Sequence, residues 1–406
     1  MKKLLPFLIL ALFGGSVANA RPQYSILQSF GTKCQNCHMS PHQGGIRSSS
    51  GFMARKDIAL IKPETLGLSG FYDFASTNTA WDEKIVYGAD VRGISARWPQ
   101  GGGKYKRDYM LMQAAPYVAI QPAEWMHLEA SYNFSYSLYE SMRYPGQSAY
   151  EVSATFHFAD YLPELRVGHF QPPVALEYDD HTMLVRQASS AQRSRPIIPC
   201  DYSELGVALE YEALPWLGVT LGAFDSKNLA DATIQTRSGG SEPLVNEKAA
   251  SAVARISFHP EQFMGLTYFF GGSFFINSPL RSDNGLYFAN NYYAVSNAFF
   301  NFGMSDSWAV IADYMHSEKQ QVRETNNFTL ELNYQPMEGV IAHARAETAN
   351  TWEVFRNQLT HTNQYVLGAR FVLLPYLDIM PEYRVYDRQH VPDYAAQWSF
   401  NLHLFY

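Results

Sequence analysis

From Met126 onward the chain alternates: Met126, Leu128, Ala130, Tyr132, Phe134, Tyr136 and Leu138 are apolar, and His127, Glu129, Ser131, Asn133, Ser135 and Ser137 fill the places between. A period of two belongs to a β-strand, whose side chains point to opposite faces in turn, so one face of this stretch is greasy and the other wet. The pattern returns in Phe328, Leu330, Leu332 and Tyr334, and again in Tyr365, Leu367, Ala369 and Phe371, and no helical run of useful length interrupts it. A soluble sandwich alternates too, but here aromatics make up 15% of the chain, with 27 tyrosines, and the mean hydropathy is −0.23. That combination marks a transmembrane barrel, in which lipid-facing and lumen-facing residues alternate and aromatics form girdles at both interfaces.

The connections follow the same logic. Tight turns are expected near Pro122, Pro163, Pro215, Pro260, Pro336 and Pro375, and longer polar links at about 139–148, 171–202, 226–247, 277–285, 318–325, 349–361 and 387–394. Short and long connections alternate, as short periplasmic turns and longer outside loops do in an outer-membrane barrel. The last strand, with Trp398, Phe400, Leu402, Leu404 and the terminal Tyr406 on one face, resembles the sorting signal read by the barrel-assembly machinery. Seventeen strand candidates can be drawn from 66–74 to 395–406. Single-chain bacterial barrels have even counts. Setting aside 66–74 leaves about sixteen antiparallel strands, enough to enclose an aqueous lumen.

Ahead of this pattern stands an export signal: Lys2 and Lys3, the apolar run Leu4 to Phe13, and Ala18-Asn19-Ala20 as an A-x-A cleavage site. The run is too short to span a bilayer. Cleavage makes Arg21 the new N-terminus, and loss of two lysines takes the formal charge from −7 to −9. An acidic exported chain is a poor match for a nucleic-acid partner, and three cysteines are too few for a disulfide scaffold.

Two of those three cysteines stand in a C-x-x-C-H frame, Cys34, Cys37 and His38. In an exported protein this reads as covalent attachment of one haem c: the thiols add to the vinyl groups and the histidine becomes the proximal iron ligand. A thioredoxin-like pair wants a βαβ setting, and a zinc site wants two further ligands at motif spacing; His42 is available, but no second cysteine pair follows. The chain thus divides into a signal peptide (1–20), a monohaem segment (21–65) and a barrel (66–406). A segment of that size rarely folds alone. The haem supplies a staple, and the barrel interior replaces the missing core if the segment plugs the lumen.

Signal peptide, a single Cys34-x-x-Cys37-His38 motif and a barrel running to the C-terminus together resemble the fused monohaem cytochrome-porins of outer-membrane iron oxidation. The resemblance implies an electron conduit in the outer membrane with an extracellular donor, Fe(II) being the candidate, and a periplasmic c-type cytochrome or similar carrier as acceptor. Its chemistry is an iron:cytochrome oxidoreductase reaction. Met53 and His42 compete as distal ligand, beside a ligand from the barrel wall or none, and Met53 next to Phe52 also suits plain packing on the haem edge.

Link 171–202 carries Glu177, Asp179, Asp180 and His181, donors suited to Fe(II), followed by Arg186, Arg193 and Arg195. Its plain reading is a solvated loop of paired charges; its functional reading is a constriction inside the lumen. Cys200 at its end is expected to be buried and inert, and His127, His157 and His169 to be polar groups of the wet face. Two other functions are open: a diffusion porin with a haem-bearing plug or sensor, and a haem peroxidase with an open distal position. No G-x-S-x-G elbow supports an outer-membrane hydrolase.

Overall fold

The structure, a computed structural model, describes residues 46–48, 52, 59–67, 69–70, 77–99, 105–135, 146, 148–176, 183–188, 195–199, 202–235, 241–243, 245, 250–260, 263–278, 292–304, 307–320, 322–389 and 395–406. Sixteen strands form one antiparallel sheet: β1 Ile85–Pro99, β2 Tyr105–Ala123, β3 Met126–Tyr132, β4 Tyr150–Phe156, β5 Glu164–Phe170, β6 Glu204–Tyr211, β7 Leu217–Phe224 and β8 Ala250–Phe258, then β9 Leu266–Ser278, β10 Tyr293–Met304, β11 Trp308–Lys319, β12 Arg323–Met337, β13 Val340–Glu353, β14 Gln358–Leu374, β15 Leu377–Arg388 and β16 Ala395–Phe405. Each pairs with its neighbour in sequence. The sheet closes where β1 pairs with β16, from Asp90↔Phe405 to Arg97↔Trp398. Closure leaves no free edge, which is what a sheet in hydrocarbon requires. The expected sixteen strands are present, and among its described residues the set-aside stretch 66–74 is not strand: Pro63–Leu66 form a 3-10 turn.

Alternation decides the two faces. On β16, Trp398, Phe400, Leu402 and Leu404 are exposed while Gln397, Ser399, His403 and Phe405 are buried. On β12, Phe328, Leu330 and Leu332 point out while Asn327, Thr329, Glu331 and Asn333 point in. The outward apolar residues run all round the wall, far more than a soluble monomer exposes, and make a lipid-facing belt. At the end with the short turns, Trp81, Trp125, Tyr161, Trp216 and Phe263 stand exposed as an interfacial girdle.

Short and long connections alternate as expected, with two differences. The links expected at 318–325 and 349–361 are mostly strand: β11 passes to β12 through 320–322, and β13 to β14 through 354–357. Their polar residues pair across the ladder, as in Ser317↔Thr325 and Asn350↔His361. His169 falls on the outward face of β5, in register with Val152 and Leu205, stacked on Tyr150 at 4.5 Å, and is not a lumen group. His127 does meet the inner wall, 3.1 Å from buried Glu129, and His157 sits in the β4–β5 turn.

Candidate functional site

Cys34, Cys37, His38, His42 and Met53 lie outside the described residues, as do Cys200, Glu177, Asp179, Asp180, His181 and Arg193. Among the described residues, no group of three or more His, Cys, Asp or Glu is placed to hold a metal ion. The parts that can be built up are the periplasmic mouth, the charged inner wall and the link between β5 and β6.

At the mouth, the chain downstream of the C-x-x-C-H motif meets the end of the barrel. Phe52 is fully buried, stacked on Tyr376 of the β14–β15 turn at 4.7 Å and edge-on to the terminal Tyr406 at 5.3 Å. The Arg47 guanidinium lies 4.9 Å from the ring centre of Phe405, an inward residue of β16, a cation–π contact. The Asn78 side chain donates to the Arg47 carbonyl at 3.3 Å. The Leu60 and Ile61 amides donate to the carbonyls of Val372 and Leu373 at 2.8 and 3.0 Å. Phe52 and Arg47 therefore dock where the last strand ends, beside the Tyr117 hydroxyl, which donates to the Tyr406 carbonyl.

Above the mouth, one side of the inner wall is lined with paired charges. Asp90 accepts from Arg92 at 2.8 Å and lies 3.1 Å from His403, whose other ring nitrogen is 3.4 Å from Asp378. Glu382 accepts from Arg384 and from Ser399, and lies 3.0 Å from His343. Arg345 bridges Glu331 and Glu347 at 3.2 and 3.5 Å. Each of these carboxylates has a cationic or hydrogen-bonding partner, the arrangement that makes buried charge tolerable.

Among its described residues, link 171–202 is not a solvated loop. It leaves β5 at Phe170 and enters the barrel, where the Leu184 amide donates to Glu347 Oε1 of β13 at 3.1 Å. Asn327 Nδ2 of β12 donates to three carbonyls of the link, Leu184 at 2.9 Å, Val185 at 3.1 Å and Gln187 at 2.7 Å. On the return the Tyr293 hydroxyl donates to the Ile197 carbonyl at 2.6 Å. Gln187–Ala188 and Arg195–Pro196 pair as a small ribbon, and Arg186 is buried, its carbonyl accepting from the Ile197 amide. The cause is in the composition: Val174, Met183, Val185, Ile197 and Ile198 are all buried, and they form one cluster with Phe224, Val253, Phe275, Val295 and Met315 of the wall. Acidic residues caught the eye in the sequence, but the apolar ones set the path.

Asn327, Glu347, Tyr293 and Tyr376 were not singled out by their sequence. Nothing local marks them, because their partners lie from about 90 to more than 300 positions away.

No protein-family model matches the chain, and no curated protein matches it by sequence. Solved structures do match in shape. The high-pH structure of Pseudomonas putida OprB superposes with a TM-score of 0.54 at 11% identity, covering 85% of this chain and 97% of that one. A loop-L8 deletion mutant of OmpT, an outer-membrane protein of Vibrio cholerae, gives 0.52 at 9% identity over 79% of this chain and 99% of that one. The trimer form of the same protein gives 0.51 at 10% identity. The fold is therefore that of a porin-like outer-membrane β-barrel.

Proposed function

We propose that this chain is an outer-membrane cytochrome-porin: one haem c, bound through Cys34 and Cys37 with His38 as proximal ligand, passes electrons between an extracellular donor and a periplasmic c-type cytochrome or similar carrier. Fe(II) is the candidate donor, and Met53 or His42 the candidate distal ligand. The observation that carries the reading is the docking of Phe52 and Arg47 against Tyr376, Tyr406 and Phe405. Arg47 stands nine positions after His38, and an extended chain covers at most about 3.5 Å per residue. A haem on His38 is thus tethered within roughly 30 Å of the periplasmic mouth. A sixteen-stranded wall spans the membrane above that point, which suits a conduit better than a free periplasmic cytochrome.

The visible spectrum tests this. Membrane-extracted protein should show the c-type bands on dithionite reduction, and Cys34→Ala with Cys37→Ala should remove them entirely while the barrel still assembles. Protein sealed into vesicles and reduced by external Fe(II) supports the conduit. A c-type spectrum that answers only to a membrane-permeant reductant returns the chain to the second reading, a diffusion porin with a haem-bearing plug, which the porin-like fold favours. No haem at all removes both.

A further inference from the structure

The geometry points to a lipid site on the outer surface of the wall: a trough over β1, headed by Arg97 and Arg107, takes one anionic phosphate-bearing lipid of the outer leaflet. The phosphate meets the two arginines, and an acyl chain lies along Ser95 and Gly93. This inference stands on the barrel alone and is independent of the haem.

Alternation puts Gly93, Ser95 and Arg97 on the outward face of β1, since Ile94 and Ala96 between them are buried on the lumen side. The closed register then sets each beside a partner on either side: Leu402, Phe400 and Trp398 of β16, and Leu111, Tyr109 and Arg107 of β2. Two small residues therefore lie between two columns of large ones. Strands stand about 4.8 Å apart, so the columns are roughly 10 Å apart, wide enough for one acyl chain between them. The trough is open. A Cβ added at Gly93 would meet only the Met110 carbonyl oxygen, at 3.8 Å. Tyr109 is 70% exposed, and Phe400 and Leu402 are 45% exposed. Because β1 and β16 form the closing seam, the trough exists only in the closed barrel.

The head of the trough lies at the membrane border. Trp398 packs on Tyr383 of β15 at 4.7 Å, a pair of the interfacial kind, and the outward residues below it on β16, Phe400, Leu402 and Leu404, are apolar. In that border row Arg97 and Arg107 are both exposed and directly opposite each other across the ladder. Like charges so placed repel. A phosphate that accepts from both guanidinium groups replaces the repulsion with charge-assisted hydrogen bonds. Asp108, the acid next to Arg107, is turned to the other face, where it pairs with Lys106 at 2.8 Å. The feature is local: at the outer ends of β11 and β12 the outward residues in register are Glu318 and Glu324, which repel such a lipid.

Native mass spectrometry of the full-length protein in mild detergent, titrated with phosphatidylglycerol or with phosphatidylcholine of the same chains, gives the test. Wild type should hold one phosphatidylglycerol more tightly than phosphatidylcholine. Arg97→Gln and Arg107→Gln should each weaken phosphatidylglycerol about fivefold. Gly93→Leu fills the trough without touching the charge and should weaken both lipids alike. Heat-modifiable migration on gels confirms that each barrel is folded, and if Gly93→Leu does not close, the arginine variants decide. Equal affinity for the two lipids, or unchanged phosphatidylglycerol binding in the arginine variants, would overturn the site. Displacement of the lipid by glycerol phosphate would reduce it to a free-anion site and overturn the lipid. A wild-type oligomer that Gly93→Leu breaks into monomers would give the trough to a second copy of the chain, with the same consequence.

Discussion

The wall from β3 to β7 and the wall from β10 to β16 obey one alternation rule and end up as different objects. The first has strands of seven or eight residues, the second strands of 11 to 17. At 3.4 Å per residue and a tilt near 40°, seven residues rise about 18 Å, short of an apolar band roughly 25 Å tall, whereas fifteen rise beyond it. Where strands stop early, the chain has slack, and the long link after β5 goes into the lumen. Where they continue, hairpins close in two to six residues and leave little chain to fold inward. Inner chemistry follows: the lumen face of β7 to β11 presents Phe224, Val253, Phe275, Val295 and Met315 to the inward link, while β12 to β16 and β1 present Glu331, Arg345, Arg370, Glu382, Arg384 and Asp90 to one another. Inward position alone says nothing about polarity. What occupies the lumen beside it does.

Removing one charge from the tall wall should give the largest effect. Glu382→Ala leaves Arg384, 1% exposed, without its carboxylate and takes a partner from His343, so urea unfolding of the detergent-solubilised barrel should lose about 3–5 kcal/mol. Replacing the pair together, Glu382→Leu with Arg384→Leu, should cost much less, since no buried charge is orphaned. Equal losses in the single and double variants would mean that these charges do not function as a pair. Beside the inward link, Phe275→Ala on β9 removes a fully buried ring and should cost about 3 kcal/mol in the same assay. It should differ in kind as well: losing the ring loosens Met183 and Val185 of the link and lowers hydrogen-exchange protection at 183–187, and Glu382→Ala does not. Similar exchange at 183–187 in both variants would erase the contrast between the two parts of the inner face.

Most of the wall was legible from sequence because a period of two survives any number of hairpins: β1 to β16 lie close to the expected strands. What failed was local. The outer ends of β12 to β14 carry Thr325, Asn350, Thr351 and Thr360, polar residues that look like loop and yet pair strand to strand. The path of link 171–202 was illegible for a different reason. Its apolar residues lack periodicity, and its tie points are fixed only once β12 and β13 are curled round to face β5. His169 misled because an imidazole on alternating sequence reads as a wet-face group, whereas at the rim it stacks on outward Tyr150. The mouth was not legible at all: nothing in Phe52 announces Tyr376.

The smallest expected effect lies in the short wall itself. His157 opens the β4–β5 turn, with Nε2 3.1 Å from Asp160 and Nδ1 3.1 Å from Glu164. The bond with Asp160, helped by Glu164, raises its pKa above the ordinary imidazole value near 6.5. A raised folded-state pKa means that the contribution is complete below the ordinary value and fades as pH climbs through the raised one. The turn, closed by Leu162 donating to the Ala159 carbonyl at 2.9 Å, should therefore loosen on the alkaline side of that window while the tall wall stays unchanged. Hydrogen-exchange protection at 157–163, corrected for intrinsic rates, should fall as the pH climbs above the ordinary imidazole value of about 6.5. His157→Gln keeps a hydrogen-bonding side chain without the charge and should flatten the profile. A turn that keeps constant protection across the range would show that β4 and β5 are held by their ladder alone, and that the shortness of this wall carries no pH dependence.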